Sequence, residues 1–232
     1  LILLEKNSFQ EFFSSKIKHF RGVTFEPLPM KNALLIFIKN PRLGKVKTRL
    51  AATLGAENAL KIYLALLERT RQAALQVAAD KYLFYSDFVD ETDEWRAADF
   101  LKKIQRGNDP EYSGQALGER MANAFAEVLP AHEKAIIIGS DLPGLTGEIL
   151  ADAFAKLDHA DFVIGQAEDG GYYLLGMKEF QPAVFQEISW STPLVFEQTI
   201  ERILSLGKSF ATLPVLPDID TAEDWERHGW QV

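Results

Sequence analysis

The chain has 232 residues, 47% of them hydrophobic and 25% charged, and a formal net charge of −8. That is enough apolar material for one substantial core. Mean hydropathy is near zero and no apolar run reaches bilayer length, so no membrane partner is expected; the acidic balance argues against a duplex nucleic-acid binder. With no cysteine, disulfides, thiolate metal sites and a Cys nucleophile are excluded, in keeping with a cytoplasmic setting.

Residues 1–29 read as an N-terminal extension with an amphipathic piece, "FQEFFSSKIKHF", ahead of a single domain over 30–232. "ALLIFI" (33–38) predicts a buried strand, and the one-face spacing of Leu60, Tyr63, Leu64 and Leu67 a helix reaching about residue 78. "KYLFYS" predicts a second strand, followed by a polar helix around Trp95 and a weak strand at "KKIQRG". A loop with Pro110, Gly114 and Gly118 leads into the helix "LGERMANAFAEVL", and "KAIIIGSD" is the most strand-like segment. "GEILADAFAKL" (helix), "ADFVIGQ" and "GYYLLGM" (strands), "PLVFEQTIERILSL" (helix), the extended "FATLPVLPDID" and the helix "TAEDWERHG" complete the chain. Apolar strands alternating with helices indicate an α/β layered sheet, mostly parallel, whose ligands bind beyond the C-terminal strand ends.

Four segments at such ends carry the chemistry. "KNPRLGKVKTRL" places Lys39, Arg42, Lys45, Lys47 and Arg49 in one loop, and the next acid is Glu57. Gly44 lets the backbone approach a ligand and the cations offer donors, which suits a polyphosphate; the alternative is a loop of solvated lysines. Neither the GxxxxGK[ST] nor the GxGxxG spacing is present. Asp141, in "IIIGSDLPG", is a hard ligand suited to Mg²⁺ or Mn²⁺, because Thr146 is better placed than it to cap the following helix. Asp218 and Asp220, two apart in an extended segment, point the same way, as carboxylates sharing a cation must; capping of the last helix by Asp220 or Thr221 explains one of them, not both. "QAEDGGYYLLG" is either a tight hairpin or a floor for an acceptor, with Asp169, Gly170 and Gly171 below and Tyr172 as wall.

Smaller signals are "SWSTP", where Ser191 or Thr192 caps a helix and Trp190 is a candidate pocket residue, and "LGERM", where Gly118 and Arg120 are placed to meet a base or ribose. No histidine accompanies a serine in a nucleophile elbow.

In this order, "KNPRLGKVKTRL", "LGERM", "GSDLPGL", "EDGGYYLLG" and "DIDTAEDW" resemble DUF2064, a bacterial family of the nucleotide-diphospho-sugar transferase superfamily, which is similar to 2-phospholactate guanylyltransferase. The resemblance implies a GT-A-like three-layer fold with a mostly parallel central sheet. It implies nucleotide binding by the loop containing Lys39, Pro41, Gly44, Lys45, Lys47 and Arg49, and metal binding by Asp141, Asp218 and Asp220. The Asp-x-Asp of many glycosyltransferases is absent, since Leu142 and Pro143 follow Asp141. The tyrosines after the "DGG" differ from the polar residues that bind phosphoenol acids in the guanylyltransferase relatives.

The expected function is metal-dependent transfer from a nucleotide donor, an NTP or a nucleotide sugar, to a small-molecule acceptor. Nucleotidyl transfer to a phosphate- or carboxylate-bearing acceptor is favoured by the dense positive charge, with Lys47 and Arg49 stabilising the charge that develops. Glycosyl transfer, with Asp169 or Glu168 as base, is the alternative, and a non-catalytic nucleotide binder is a second one.

Overall fold

The computed structural model describes residues 31–107 and 114–232. The expected N-terminal extension and the boundary at residue 30 therefore lie outside the described residues.

Strand β1 (Asn32–Ile38) is buried on both faces, which explains its unbroken apolar run. Its side chains alternate: Leu34, Ile36 and Ile38 enter one core cluster, while Ala33, Leu35 and Phe37 belong to a second. Strand β4 (Lys134–Ile138) divides in the same way. Helices α2 (Ala56–Leu75) and α4 (Gly147–Lys156) cover the first face with Tyr63, Leu67, Ala153 and Phe154. Helices α3 (Gly114–Val128) and α5 (Val195–Ser205) cover the second with Met121, Phe125 and Ile203. The three layers expected of an α/β sheet follow directly from this period-two burial.

The remaining strands are β2 (Asp80–Tyr85), β3 (Leu101–Ile104), β5 (Phe162–Gln166), β6 (Tyr172–Met177) and β7 (Phe210–Thr212). The seven strands lie in the order β3-β2-β1-β4-β6-β5-β7. Only β6 runs against its neighbours, because it returns from β5 as a hairpin and pairs antiparallel with both β4 and β5. β1 pairs with β2 on one side and with β4 on the other, both parallel. The chain thus departs in opposite directions from β1 and β4, and their C-terminal ends open the crevice where ligands bind in such sheets.

Helix α1 (Thr48–Leu54) is separated from α2 by Gly55 at φ 83°, so the one helical stretch expected after the basic loop is two helices, the second ending at Leu75. Residues 114 to 118 belong to α3 and not to the preceding loop. The polar helix expected around Trp95 does not form. The Asp90 and Asp93 carboxylates accept from the backbone N–H of Thr92 and Trp95, local turns that compete with helical bonding. Trp95 packs edge-on against Phe100 instead, with ring centroids 4.8 Å apart. Helix α5 starts at Val195 without a side-chain cap, later than "SWSTP" suggests, because Ser191 sits at φ 62° and keeps the strap before it non-helical.

Helix α6 (Ala222–His228) does carry the expected capping box: Thr221 Oγ1 accepts from Asp224 N–H, and the Asp224 carboxylate accepts from Thr221 N–H. The same carboxylate accepts from Asp220 N–H at 3.1 Å, so the cap also fixes the backbone beneath Asp220. Among the described residues no helix is long and apolar enough to cross a membrane. Replacing the cap, Thr221→Ala, is expected to cost about 1 kcal/mol in a urea unfolding curve; an unchanged midpoint would show that tertiary contacts hold this helix start without its cap.

Candidate active site

The loop after β1 is fixed by distant partners. Tyr63 on α2 accepts from Lys39 N–H at 2.9 Å and donates back to the Lys39 carbonyl at 3.0 Å. Asn40 is buried and reaches the loop after β2, donating to the Phe88 carbonyl and accepting from Asp87 N–H. Gly44, at φ 70°, makes the turn in which Lys45 N–H meets the Arg42 carbonyl. Gln105 ties the ends of β1 and β2 together, its amide donating to the carbonyls of Ile38 and Phe84.

The five cations of this loop separate into distinct roles. Arg42 pairs with Asp87 at 2.9 Å, away from the others. Lys47 turns inward: its side chain is only 5% exposed, and its ammonium lies 3.0 Å from Asp141 and 3.1 Å from Asp220. Arg49 reaches the other oxygen of Asp220 at 2.7 Å. Lys39 and Lys45 are exposed and have no ion-pair partner among the described residues. Lys47 occupies the cap position of α1 in the left-handed region, at φ 48° and ψ 48°. A side chain with a Cβ adopts this backbone at a cost, and such strain tends to gather at functional sites. Burial alone would lower the Lys47 pKa, but the two carboxylates outweigh it and leave the pKa raised, so the ammonium stays charged.

Asp141 follows β4, and its carbonyl accepts from Ile219 N–H at 3.0 Å. That bond joins the two acidic segments. Ile219 is fully buried against Leu50, Ile62 and Leu66, so its neighbours Asp218 and Asp220 both face the cleft, as their spacing predicts. Thr146 caps α4 by accepting from Ile149 N–H, which leaves Asp141 without that task. The turn between β5 and β6 is longer than the two-residue hairpin suggested by "DGG". Ala167 bonds to both Gly170 and Gly171, and neither Asp169 nor Gly171 adopts a positive φ. A parallel bridge from Ala167 to Leu216 brings this turn beside the segment that carries Asp218.

One cleft of about 810 Å³ gathers these groups. It is lined by Lys39, Lys45, Lys47, Arg49 and Arg120, by Asp141, Asp169, Asp218 and Asp220, and by Gly171, Tyr172 and Trp190. Pro41, Gly44, Gly118 and Gly170 do not line it. Two of these glycines act from behind. A Cβ on Gly170 would lie 2.2 Å from the Pro193 carbonyl oxygen, and one on Gly118 would lie 2.5 Å from the Trp190 indole. Tyr63, Ser86 and Gln105 also line the cleft. Nothing local in the sequence marks them: Tyr63 reads only as one residue of an apolar helix face.

Among the described residues no three His, Cys, Asp or Glu side chains are gathered to hold a metal ion. Two carboxylates, those of Asp141 and Asp220, do converge on a single cation, the Lys47 ammonium. Two carboxylates completed by phosphate oxygens and water form a common Mg²⁺ site, so the donor set fits that ion without a third protein ligand.

A family model described as an uncharacterized protein conserved in bacteria, DUF2064, matches residues 67–192. A crystal structure from Desulfovibrio desulfuricans G20, provisionally described as a nucleotide-diphospho-sugar transferase, is 31% identical, has a TM-score of 0.74 and covers 83% of each chain. Two more distant structures share the fold. CMP:2-keto-3-deoxy-manno-octonic acid synthetase complexed with CTP is 12% identical, with a TM-score of 0.53 over 85% of this chain and 96% of that one. Rv0371c of Mycobacterium tuberculosis H37Rv, in complex with manganese, is 13% identical, with a TM-score of 0.51 over 87% and 100%. No curated protein matches significantly.

Burial first, and then the Asp169 and Asp220 carboxylates, push Asp218 up to about 6 from an ordinary 3.8. Between these values the folded state holds a proton that the unfolded chain gives up, so this group's contribution to stability declines as pH rises toward about 6. Asp218→Asn removes that loss. Its melting temperature relative to the parent is therefore expected to be higher at about pH 7.5 than at about pH 4; an equal difference at both would show that Asp218 ionises like an ordinary carboxylate.

Proposed function

The chain belongs to the DUF2064 family of the nucleotide-diphospho-sugar transferase superfamily, and from that premise we propose that it is a metal-dependent nucleotidyltransferase. Its donor is a nucleoside triphosphate and its acceptor a small molecule. The observation that carries this reading is the convergence of Asp141 and Asp220 on one buried cation at the β1–β4 crevice, beside exposed basic side chains.

In this reading an acceptor oxygen attacks the α-phosphorus, the bond from that phosphorus to the bridging oxygen breaks, and pyrophosphate leaves with the electron pair. Lys39, Lys45 and Arg49 neutralise the triphosphate, which carries more charge than a nucleotide sugar. Asp141 and Asp220 are the residues that would hold Mg²⁺ or Mn²⁺, with Asp218 beside them; bound there, the ion supplies Lewis-acid stabilisation of phosphate charge. Lys47, held among the same carboxylates, is the cation nearest at hand to follow charge onto the phosphates. The CTP-bound synthetase and the manganese-bound Rv0371c support the donor class and the ion class by likeness of fold.

Glycosyl transfer is the second reading. It is favoured by the description of the 31%-identical relative and by Asp169, an exposed carboxylate on the cleft that is placed to take a proton from an acceptor hydroxyl. A thermal-shift panel separates the two, comparing GTP, ATP, CTP and UTP with UDP- and GDP-sugars, with and without Mg²⁺ or Mn²⁺. A ligand that binds only the folded state raises the melting point by mass action. The largest metal-dependent shift is expected with one triphosphate; a larger shift with an intact nucleotide sugar would transfer the assignment to glycosyl transfer.

Asp141→Asn is expected to abolish the metal-dependent part of that shift while the unliganded protein still melts cooperatively; a full shift in the variant would remove Asp141 from the metal site. Lys39→Ala with Lys45→Ala is expected to weaken triphosphate affinity roughly fivefold and to flatten its salt dependence. Unaltered affinity would mean that these two lysines are merely solvated.

A further inference from the structure

The side of the cleft nearest α3 and α5 is aromatic and apolar, and the transfer step does not use it. Trp190 lies in the strap 189–194, with its ring centroid 6.3 Å from that of Tyr172 and the planes at 72°. Phe37 and Met121 belong to the same apolar cluster and line the cleft beside them.

Three observations set this wall apart from ordinary core packing. Gly118 sits inside α3 without a positive φ, so no backbone requirement calls for glycine there, and glycine weakens a helix relative to alanine. The Trp190 indole lies where its Cβ would be, so the glycine lets the indole sit flush against the helix while one side still lines the cleft. Ser191, the next residue, holds a left-handed backbone at φ 62° that sets the strap's course. Among the described residues the Tyr172 hydroxyl has a single hydrogen-bond partner, the Met121 sulfur at 3.7 Å, which is a weak acceptor. Burial holds that phenol protonated, and its one O–H is committed only to this weak acceptor, which a ligand oxygen can displace.

The charge distribution narrows the ligand further. Of the five cationic side chains lining the cleft, four come from the segment 39–49 and only Arg120 comes from α3. Asp169 and Asp218 face the same space, so a polyanionic acceptor placed here would meet two carboxylates with Arg120 as the one cation from α3.

We infer that this wall is the acceptor subsite and that it takes a ring with a flat apolar face, carrying at most one anionic group and an oxygen that accepts from Tyr172. An aromatic ring and the C–H face of a sugar share that chemistry. The inference rests on the transferase reading and deepens it by naming the acceptor class.

The test measures dissociation constants on the full chain by ligand-observed NMR, without nucleotide, for three probes: 4-hydroxybenzoate, methyl β-glucoside and glycerol 3-phosphate. One of the two ring probes is expected to bind more tightly than glycerol 3-phosphate, and which one it is identifies the source of the ring. Trp190→Ala is expected to weaken that probe about tenfold, in the range of an aromatic contact. Tyr172→Phe should weaken it several-fold, and it keeps the test decisive if Trp190→Ala does not fold. Gly118→Ala should weaken it by displacing the indole.

All three variants are expected to retain the metal-dependent shift with the preferred triphosphate. Tighter binding of glycerol 3-phosphate than of either ring, or ring binding indifferent to both Trp190→Ala and Tyr172→Phe, would overturn the inference. So would loss of the triphosphate shift in Trp190→Ala, which would make the wall a nucleobase subsite. Absence of any triphosphate or nucleotide-sugar shift in the parent protein would instead count against the transferase reading, and the ring measurements would still stand by themselves.

Discussion

The site depends on one buried cation. Asp141 and Asp220 reach the same ammonium and so stand close enough to repel one another; Asp218, raised by burial first and then by Asp169 and Asp220, faces the same cleft. The Lys47 ammonium between Asp141 and Asp220 offsets much of that repulsion. Burying it costs solvation, and the two carboxylates that share it more than offset that cost, leaving its pKa raised. The contact also joins three parts of the chain: the loop after β1, the end of β4 and the segment leading into α6. Without such a cation the Asp141 and Asp220 carboxylates would face each other with only Arg49, among the described residues, paired to them.

The architecture around this contact looks arranged to hold it. Lys47 stands at the cap position of α1 although its ammonium has no acceptor with which to cap, and it holds a left-handed backbone there while reaching the carboxylates. Ile219 fixes the C-terminal acids twice, through its buried side chain and through its N–H bond to the Asp141 carbonyl. The Asp224 carboxylate steadies Asp220 from the other side. Strain on one segment is thus balanced by over-determined packing on the others, a pattern expected where geometry serves function.

The other half of the cleft is shaped by close approach and not by charge. Gly170 makes room for Pro193 and Gly118 for Trp190, which locks the β5–β6 turn and α3 against the strap between them. Phe196 N–H bonds to the Gly170 carbonyl and completes that joint. The result is a cleft with a basic and acidic end next to an aromatic wall, a division suited to a charged donor and a ring-bearing acceptor.

Much of this was legible from the sequence alone. The period-two strands, the hairpin after β5, the caps at Thr146 and Thr221, and the cleft-facing pair Asp218 and Asp220 all follow from local rules, because alternation and capping depend on residues within a few positions of one another. The five short motifs also pointed to the family. The helix expected at Trp95 was lost because side chains of Asp90 and Asp93 turn the local backbone, and Trp95 finds its partner in Phe100. What only the tertiary structure decided is which cation does what. A run of five basic residues looks uniform in sequence, yet Arg42 leaves for Asp87, Lys47 turns inward to two carboxylates, and Lys39 and Lys45 remain at the cleft. Those partners lie as far as 173 positions away along the chain, and electrostatic pairing acts through space, so no local pattern could have assigned them.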